Sequence, residues 1–259
     1  MPSNSGNFLS VAAFIGGLII IAVASFNMLS DSRQYAAARD EYALLREIYA
    51  RESAAPGLAF TQNNSREHAV PESTATSGRA KMSISALAGL NADYTGWMTI
   101  TGTSVDYPVV RGADNSTYLN TTFSGEKNPS GAIFMDYRCT KDFDAHVCII
   151  YGHNMKDGTM FAPLIRYTET DFMINHPEIT ITTTKNESLT YRVFDARMTD
   201  ISDTAYSINL NTGAGAAEYF TGLSDDEARV LILSTCPNGG DRDKRLLVFF
   251  SLVGVSEHG

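Results

Sequence analysis

The sequence predicts a mainly β fold, a closed or nearly closed barrel of about eight strands with few helices. Short apolar or alternating runs, rich in Val, Ile, Tyr, Phe and Thr, recur between residues 97 and 255, and turn residues bound them. Few segments between these runs favour a helix. The chain has 259 residues, of which 44% are apolar and 19% charged, so it can bury a core and is neither disordered nor fibrous.

Each of these runs predicts one strand, because its apolar residues alternate or follow one another without a helical period. The eight predicted strands cover residues 97–100, 105–110, 132–136, 147–151, 178–183, 189–198, 230–235 and 246–255. Three helical segments accompany them: one at 84–90, where Ser83 can cap the first turn, and two more at 161–174 and 215–222.

The first 30 residues differ from the rest of the chain, since they contain no Asp, Glu, Lys or Arg. Residues 8–28 form an apolar run of 21 residues without the polar stripe of a buried core helix. About 20 such residues span the core of a bilayer, so we expect a single membrane helix. A cleaved signal peptide is one alternative, because Ala22-Val23-Ala24 resembles a cleavage site, although no basic residue precedes the run. A buried helix is the other.

The next segment predicts a second helix and then a linker. Residues 34–52 are predicted to form a helix with one apolar face. The residues of this face follow one another at intervals of three and four positions, typical of a helix: Tyr35, Ala38, Tyr42, Leu45 and Tyr49. Residues 53–78 are rich in Ser, Thr, Asn, Ala, Pro and Gly and lack periodicity, which is typical of a linker. We therefore divide the chain into a membrane anchor at 1–30, a juxtamembrane helix and linker at 31–81, and a folded domain at 82–259.

Net charge and cysteine content exclude two classes of protein. With 20 Lys and Arg against 29 Asp and Glu, the formal net charge is −9, whereas proteins that bind nucleic acid present a basic face. We therefore expect no nucleic-acid partner. Three cysteines are too few for a disulfide-dense secreted scaffold, and their odd number leaves at least one thiol unpaired within the chain.

A cysteine and an arginine are predicted to meet at one end of the sheet. Cys236 directly follows the predicted strand 230–235, and Arg245 directly precedes the next strand after a polar, Gly-rich loop. Strands adjacent in sequence usually pair, which would bring the thiol and the guanidinium to the same rim. The guanidinium is permanently charged and can stabilise a thiolate or a developing oxyanion. The alternative is that Cys236 is a small core residue and Arg245 a surface charge.

Of the five histidines, only His153 occupies a position like that of Cys236, because it lies at the exit of the predicted strand 147–151. An imidazole can take or give a proton near neutral pH. A thiol with an ordinary pKa needs such a base, or a cation, nearby in order to react. These features leave two interpretations open, a hydrogen-bonded loop histidine and the base of a cysteine and histidine pair.

The same region leaves two other roles open. Cys139, His146, Cys148 and His153 fall within 15 residues, but their spacing is not typical of a zinc site. A disulfide between Cys139 and Cys148 is an alternative in an oxidising compartment, and it would leave Cys236 free.

Four stretches of the sequence resemble the class B sortases, membrane-anchored cysteine transpeptidases of Gram-positive cell surfaces. Within residues 92–253 they read GWMTITGTSVDYPVVRGADNSTYLN, SGAIFMDYR, IIYGHNMKDGTMFAPLIRY and LSTC with a following RLLV. The resemblance implies an eight-stranded sortase-type β-barrel with N-terminal helices and helical insertions. It also implies that Cys236 is the nucleophile, that His153 is its proton-transfer partner, and that Arg245 binds the oxyanion and the substrate backbone.

The resemblance further implies a substrate groove in which residues 203–208 form one wall. The other groove residues that it implies are Asn115, Leu119, Tyr151, Ser234 and Thr235. This chain departs from common family members at Pro237, where an acidic or polar residue is often seen, and at Arg242, a second arginine before Arg245.

The reaction that the resemblance implies is acyl transfer. The Cys236 thiolate would cleave an NPxTx-like C-terminal sorting signal of a secreted protein after its Thr, and an amine of cell-wall precursor would accept the acyl group from the thioester. No metal or organic cofactor is implied. The alternatives are a pilin polymerase that uses a pilin Lys, a purely hydrolytic cysteine protease, and a non-catalytic surface binding module.

The family also implies a single-pass membrane protein with an extracellular catalytic domain. Arg33, Arg39 and Arg46 follow the apolar run, and the positive-inside rule alone would place them in the cytoplasm. We follow the family here, because only a few arginines carry the opposite signal.

Overall fold

The computed structural model describes residues 5–54, 85–207, 229–236 and 243–257. Its strands are β1 (Tyr94–Thr99), β2 (Asp106–Val110), β3 (Ile133–Met135), β4 (Val147–Tyr151), β5 (Glu178–Thr183), β6 (Glu187–Asp200), β7 (Val230–Thr235) and β8 (Lys244–Glu257). They form one closed barrel in the spatial order β1-β2-β3-β4-β7-β8-β6-β5. The predicted mainly β fold and all eight predicted strands are confirmed.

Strands β6 and β8 extend beyond their predicted ends because they pair with each other. Their antiparallel register runs from Glu187 opposite Glu257 to Asp200 opposite Lys244. Backbone hydrogen bonds between the strands do not depend on side-chain polarity, so the ladder continues into polar residues that the apolar pattern excluded.

Closure of the barrel depends on two parallel pairs, β2 with β3 and β4 with β7, while the other neighbours are antiparallel. All six residues of β7 are buried. Large side chains fill the interior, among them Trp97, Tyr107, Tyr191, Phe249 and Phe250, each with at most 1% of its surface exposed. A closed sheet leaves no strand edge unpaired, so β7 and its neighbours form a fixed frame for the loops that leave them.

Helix α1 (Ser5–Ala54) packs against this barrel through the face that the sequence predicts. Ala38, Tyr42 and Leu45 are buried in the core, and Tyr35 and Tyr49 pack partly buried beside them. The boundary proposed at residue 82 stays a prediction, but the helix before it already lies on the barrel. Within the part of the chain that the structure describes, no helix is both long enough and apolar enough to cross a membrane.

The other helices are short. Helix α2 (Ser85–Leu90) confirms the predicted segment at 84–90, whose cap Ser83 lies outside the described residues. The segment predicted at 161–174 is helical but broken, with a 3₁₀ helix at Ala162–Thr168 and α3 at Thr170–Asn175. Glu169 separates the two because its backbone is extended, with φ −97° and ψ 122°. The helix predicted at 215–222 and the linker beyond Ala54 lie outside the described residues.

Candidate active site

The parallel pairing of β4 with β7 brings the predicted histidine and cysteine to the same rim. Tyr151 lies opposite Ser234 at the end of the ladder, and the Gly152 amide donates a hydrogen bond to the Ser234 carbonyl oxygen at 3.2 Å. His153 lies two residues after Tyr151, and Cys236 lies two residues after Ser234. Because parallel strands run in the same direction, both side chains leave the barrel at one end.

Strand β8 brings the arginine to that rim from the other side of β7. The antiparallel register ends with Thr235 opposite Leu246. One position later in β7 is Cys236 and one position earlier in β8 is Arg245, so these two residues lie opposite each other. The predicted pairing of these two strands is confirmed. Cys236 therefore lies between strands that carry an imidazole on one side and a guanidinium on the other.

These residues line one pocket of about 280 Å³. All eight residues that the sequence analysis selects for the site are in its lining: Asn115, Leu119, Tyr151, His153, Ser234, Thr235, Cys236 and Arg245. Four further residues, not predicted from the sequence, also line it: Phe134, Gly152, Ile201 and Tyr206. Tyr206 lies in the segment 203–208 that was expected to form a wall.

The His153 ring is held by a main-chain carbonyl. Its Nε2 atom lies 2.6 Å from the carbonyl oxygen of Leu119. A carbonyl oxygen only accepts hydrogen bonds, so the proton of this contact is on Nε2. In the neutral ring, Nδ1 is then the nitrogen that can accept a proton.

Of the three thiols, only that of Cys236 belongs to a partly exposed residue. Cys139 and Cys148 are buried, and all three cysteines are free, so the disulfide considered between Cys139 and Cys148 is not formed. Burial raises the pKa of the Cys148 thiol well above its ordinary value, because the thiolate would lose its hydration, and the neighbouring Cys139 adds to the effect. Exposure therefore favours Cys236 as the reactive thiol.

Tyr206 connects the wall of the pocket to the reactive rim. Its hydroxyl lies 2.8 Å from the Ser234 Oγ atom. Burial raises the pKa of Tyr206, while the charge of Arg245 lowers it and a Cys236 thiolate would raise it. Both groups thus lie within electrostatic reach of the phenol. The Arg245 Nη1 atom also donates to the Lys244 carbonyl oxygen at 2.7 Å.

A buried carboxylate lies behind three lining residues of the pocket. Asp136 has no exposed surface and accepts hydrogen bonds from Arg138 Nε and Nη2, each at 2.8 Å, from Asn115 Nδ2 at 3.0 Å and from the Tyr151 hydroxyl at 2.9 Å. Arg138 Nη1 donates to the Tyr206 carbonyl oxygen at 2.9 Å. Burial alone would raise the pKa of Asp136, but the hydrogen bonds from Arg138 and Tyr151 more than offset it and lower the pKa.

Asp136 and Arg138 lie within the stretch SGAIFMDYR, but no role was predicted for them from the sequence. An acidic residue at the end of an apolar strand, with an arginine two residues later, is the signal that could have identified them. Among the described residues, no group of three or more His, Cys, Asp or Glu side chains is arranged to hold a metal ion.

Comparisons with known proteins agree with this architecture. Residues 98–253 match the model of the Sortase domain. The chain is 45% identical to sortase B of Listeria monocytogenes over 104 residues, which are 40% of this chain and 42% of that protein. It is 30% identical to sortase B of Staphylococcus aureus over 182 residues, 66% of this chain and 74% of that protein.

Among solved structures, the fold is similar to that of a Streptococcus pyogenes class B sortase involved in pilus biogenesis. The TM-score is 0.58 at 29% identity, and the match covers 64% of this chain and 96% of that one.

Proposed function

The chain belongs to the sortase family, and from that premise we propose a specific transpeptidation for it. Sortases are cysteine transpeptidases, and the curated relatives are sortase B proteins. The proposed substrate is a secreted protein with an NPxTx-like C-terminal sorting signal. The observation that carries the proposal is the strand register that brings His153, Cys236 and Arg245 to one rim and one pocket.

The first step is attack on the peptide. The Cys236 thiolate adds to the carbonyl carbon of the Thr residue, and Arg245 stabilises the oxyanion that forms. The bond between Thr and the next residue then breaks. Protonated His153 gives its proton to the leaving amine, and the Thr acyl group remains as a thioester on Cys236.

The second step restores the enzyme. An amine attacks the thioester carbonyl, the bond to the Cys236 sulfur breaks, and a new amide bond forms. The neutral His153 takes a proton from the attacking amine, which returns the imidazole to its protonated form. These steps balance in protons and electrons without a metal or an organic cofactor.

The peptide would lie along the pocket described above. The side chains proposed to contact it are Asn115, Leu119, Tyr151, Ser234 and Thr235. Support for this assignment comes from their common pocket with Cys236, and from the chemistry of its lining. Amide and hydroxyl groups can hydrogen-bond the polar residues of an NPxT segment, while Leu119 and the Tyr151 ring can contact its apolar parts.

The proposed acceptor is an amine of cell-wall precursor. A pilin Lys is the second candidate, because the similar Streptococcus pyogenes enzyme is involved in pilus biogenesis. The two acceptors present the same primary amine to the thioester, so the chemistry at Cys236 is common to both. They differ in the molecule that carries the amine and must dock beside the pocket, a cell-wall precursor in one case and a pilin in the other.

We also propose that residues 8–28 anchor the chain in the cell membrane and that the catalytic domain is extracellular. The proposal is supported by the uncharged run of 21 residues and by the nature of the substrates, which are secreted or surface-bound. Because α1 already packs on the barrel through Tyr35 and Ala38, the barrel would lie close to the bilayer surface.

The test is incubation with a library of Asn-Pro-x-Thr peptides, with and without amine nucleophiles, followed by mass spectrometry. We expect cleavage after Thr, an acyl-enzyme on Cys236, and an amide product that depends on the added amine. Cys236→Ala is the control and should give neither cleavage nor acyl-enzyme. Cleavage with no amide product at any amine concentration would instead identify a hydrolytic protease, and the absence of cleavage would refute the proposal.

A further inference from the structure

A short path connects the N-terminal helix to the imidazole of the active site. The Tyr42 hydroxyl of α1 donates a hydrogen bond to the Gly131 carbonyl oxygen at 2.6 Å. Gly131 lies directly against the carbonyl group of Leu119. That carbonyl accepts the hydrogen bond from His153 Nε2 at 2.6 Å. Two residues, Gly131 and Leu119, therefore separate α1 from the side chain proposed to move the proton.

Gly131 makes the middle contact of this path close. Its φ is +57°, in the left-handed region that favours glycine. A Cβ atom there would lie 2.5 Å from the Tyr118 carbonyl oxygen and 2.7 Å from the Leu119 carbonyl oxygen. Real Cβ atoms do not approach carbonyl oxygens so closely, so the backbone of residue 131 can lie beside the Leu119 carbonyl only as glycine. A side chain at this position would have to displace the acceptor of the His153 hydrogen bond.

Helix α1 holds the same loop, residues 117–131, at two further points. Asn128 Nδ2 donates to the Gln34 carbonyl oxygen at 2.7 Å, and the Ser124 amide donates to Glu41 Oε1 at 2.9 Å. Tyr42 itself is buried, and its ring packs edge-on against Tyr107 with 5.2 Å between the centroids. The position of the loop is therefore set by the helix as well as by the barrel.

We propose that α1 positions the catalytic imidazole, with Tyr42 as the positioning residue and the carbonyl groups of Gly131 and Leu119 as the connection. This inference rests on the proposed role of His153. The helix keeps the Leu119 carbonyl where it accepts the proton on Nε2, which leaves Nδ1 for proton exchange in the pocket. Release of the helix from the loop would let the ring rotate or change tautomer, and the turnover rate would fall without loss of the binding groove.

Two matched substitutions on α1 test the proposal in the full-length protein. Tyr42→Phe removes only the hydroxyl that reaches Gly131. Tyr49→Phe removes a hydroxyl on the same helix that donates to Thr182 Oγ1 at 2.9 Å, and so controls for general loosening of α1. We expect Tyr42→Phe to lower kcat about fivefold, the equivalent of one ordinary hydrogen bond, with KM unchanged. Tyr49→Phe should keep both values of the wild type.

The tautomer of His153 gives a second readout that a merely structural role would not move. In ¹⁵N NMR of the imidazole, the wild type and Tyr49→Phe should show the proton on Nε2, and Tyr42→Phe should show a mixture of tautomers. Gly131→Ala should have the same effect more strongly. Its control is Gly125→Ala in the same loop, where φ is +89° but no atom lies within 4 Å of the added Cβ.

Equal kcat values for Tyr42→Phe and Tyr49→Phe, or an unchanged imidazole spectrum in Tyr42→Phe, would overturn the inference. If Gly131→Ala does not fold, the two tyrosine variants decide the question alone. The proposed function has its own control in this set: an active His153→Ala variant would refute the role of His153, whatever the helix variants do.

Discussion

Substitution of Arg138 by Met should destabilise the protein strongly, because it leaves the Asp136 carboxylate buried without its cation. The side chain of Arg138 contributes two charge-assisted hydrogen bonds to Asp136. Each is worth about 1.5–3 kcal/mol, and breaking a buried ion pair costs about 3–5 kcal/mol. One third of the Arg138 side chain is exposed, so water would partly replace it. We therefore expect a loss of about 3 kcal/mol.

Thermal unfolding at pH 7 measures this loss. For a domain of this size, about 3 kcal/mol corresponds to a decrease in Tm of roughly 6–12 °C. The matched control is Arg192→Met, the same substitution in an exposed ion pair, where Arg192 Nη2 lies 2.6 Å from Glu178 Oε1. Exposed pairs contribute about 0–1 kcal/mol, so the control should change Tm little.

The pH dependence identifies the carboxylate as the cause. The pKa of Asp136 is lowered in the folded wild type, so its contribution to stability is present above the ordinary pKa of about 4 and is lost as the pH falls below it. Without Arg138, burial raises that pKa, and the variant regains stability by binding a proton as the pH falls. The difference in Tm between wild type and variant should therefore shrink from pH 7 to pH 4.

The same variant should raise KM for an NPxT peptide, because the Tyr206 carbonyl oxygen loses the donor that holds this wall of the groove. The reasoning would be refuted by a Tm loss at pH 7 no larger than that of Arg192→Met. A loss that stays constant between pH 7 and pH 4 would also contradict it, since the cause would then not be the Asp136 charge.

Three further predictions concern the reaction and the N-terminus. Cys236→Ala should abolish peptide cleavage with an unchanged Tm, whereas Cys139→Ser should keep turnover; an inactive but folded Cys139→Ser would mean that the wrong thiol was chosen. Arg245→Lys should lower kcat by a factor of about 10²–10³, nearly as much as Arg245→Ala, because the point charge of lysine does not replace the paired donors of arginine. A wild-type rate in the lysine variant would refute the oxyanion role of Arg245. Deletion of residues 1–30 should give a protein that still cleaves peptides, as measured by mass spectrometry, but no longer anchors substrates in cells, as measured by cell fractionation. Loss of peptide cleavage in the folded truncated protein would contradict this prediction.

The sequence by itself determined the strands, and it placed the candidate catalytic residues at the ends of β4 and β7. Strand patterns are local, because successive side chains along a strand point to opposite faces of the sheet whichever strand lies beside it. The positions of Cys236 and His153, each directly beyond an apolar run, followed from the same local patterns. The face of α1 that packs on the barrel was likewise visible, since its apolar residues repeat at helical intervals.

The tertiary structure alone decided which groups from distant segments of the chain meet. Paired residues of β4 and β7, such as Val147 and Val230, lie 83 positions apart in the sequence, and nothing in either run specifies its partner. The contacts of Asp136 with Asn115, Tyr151 and Arg138, and the contact of Tyr42 with Gly131, depend on that order of strands and on where the loops return. Hydrogen bonds between distant side chains require closure of the barrel, whereas residue patterns report only the burial and the backbone preference of each segment.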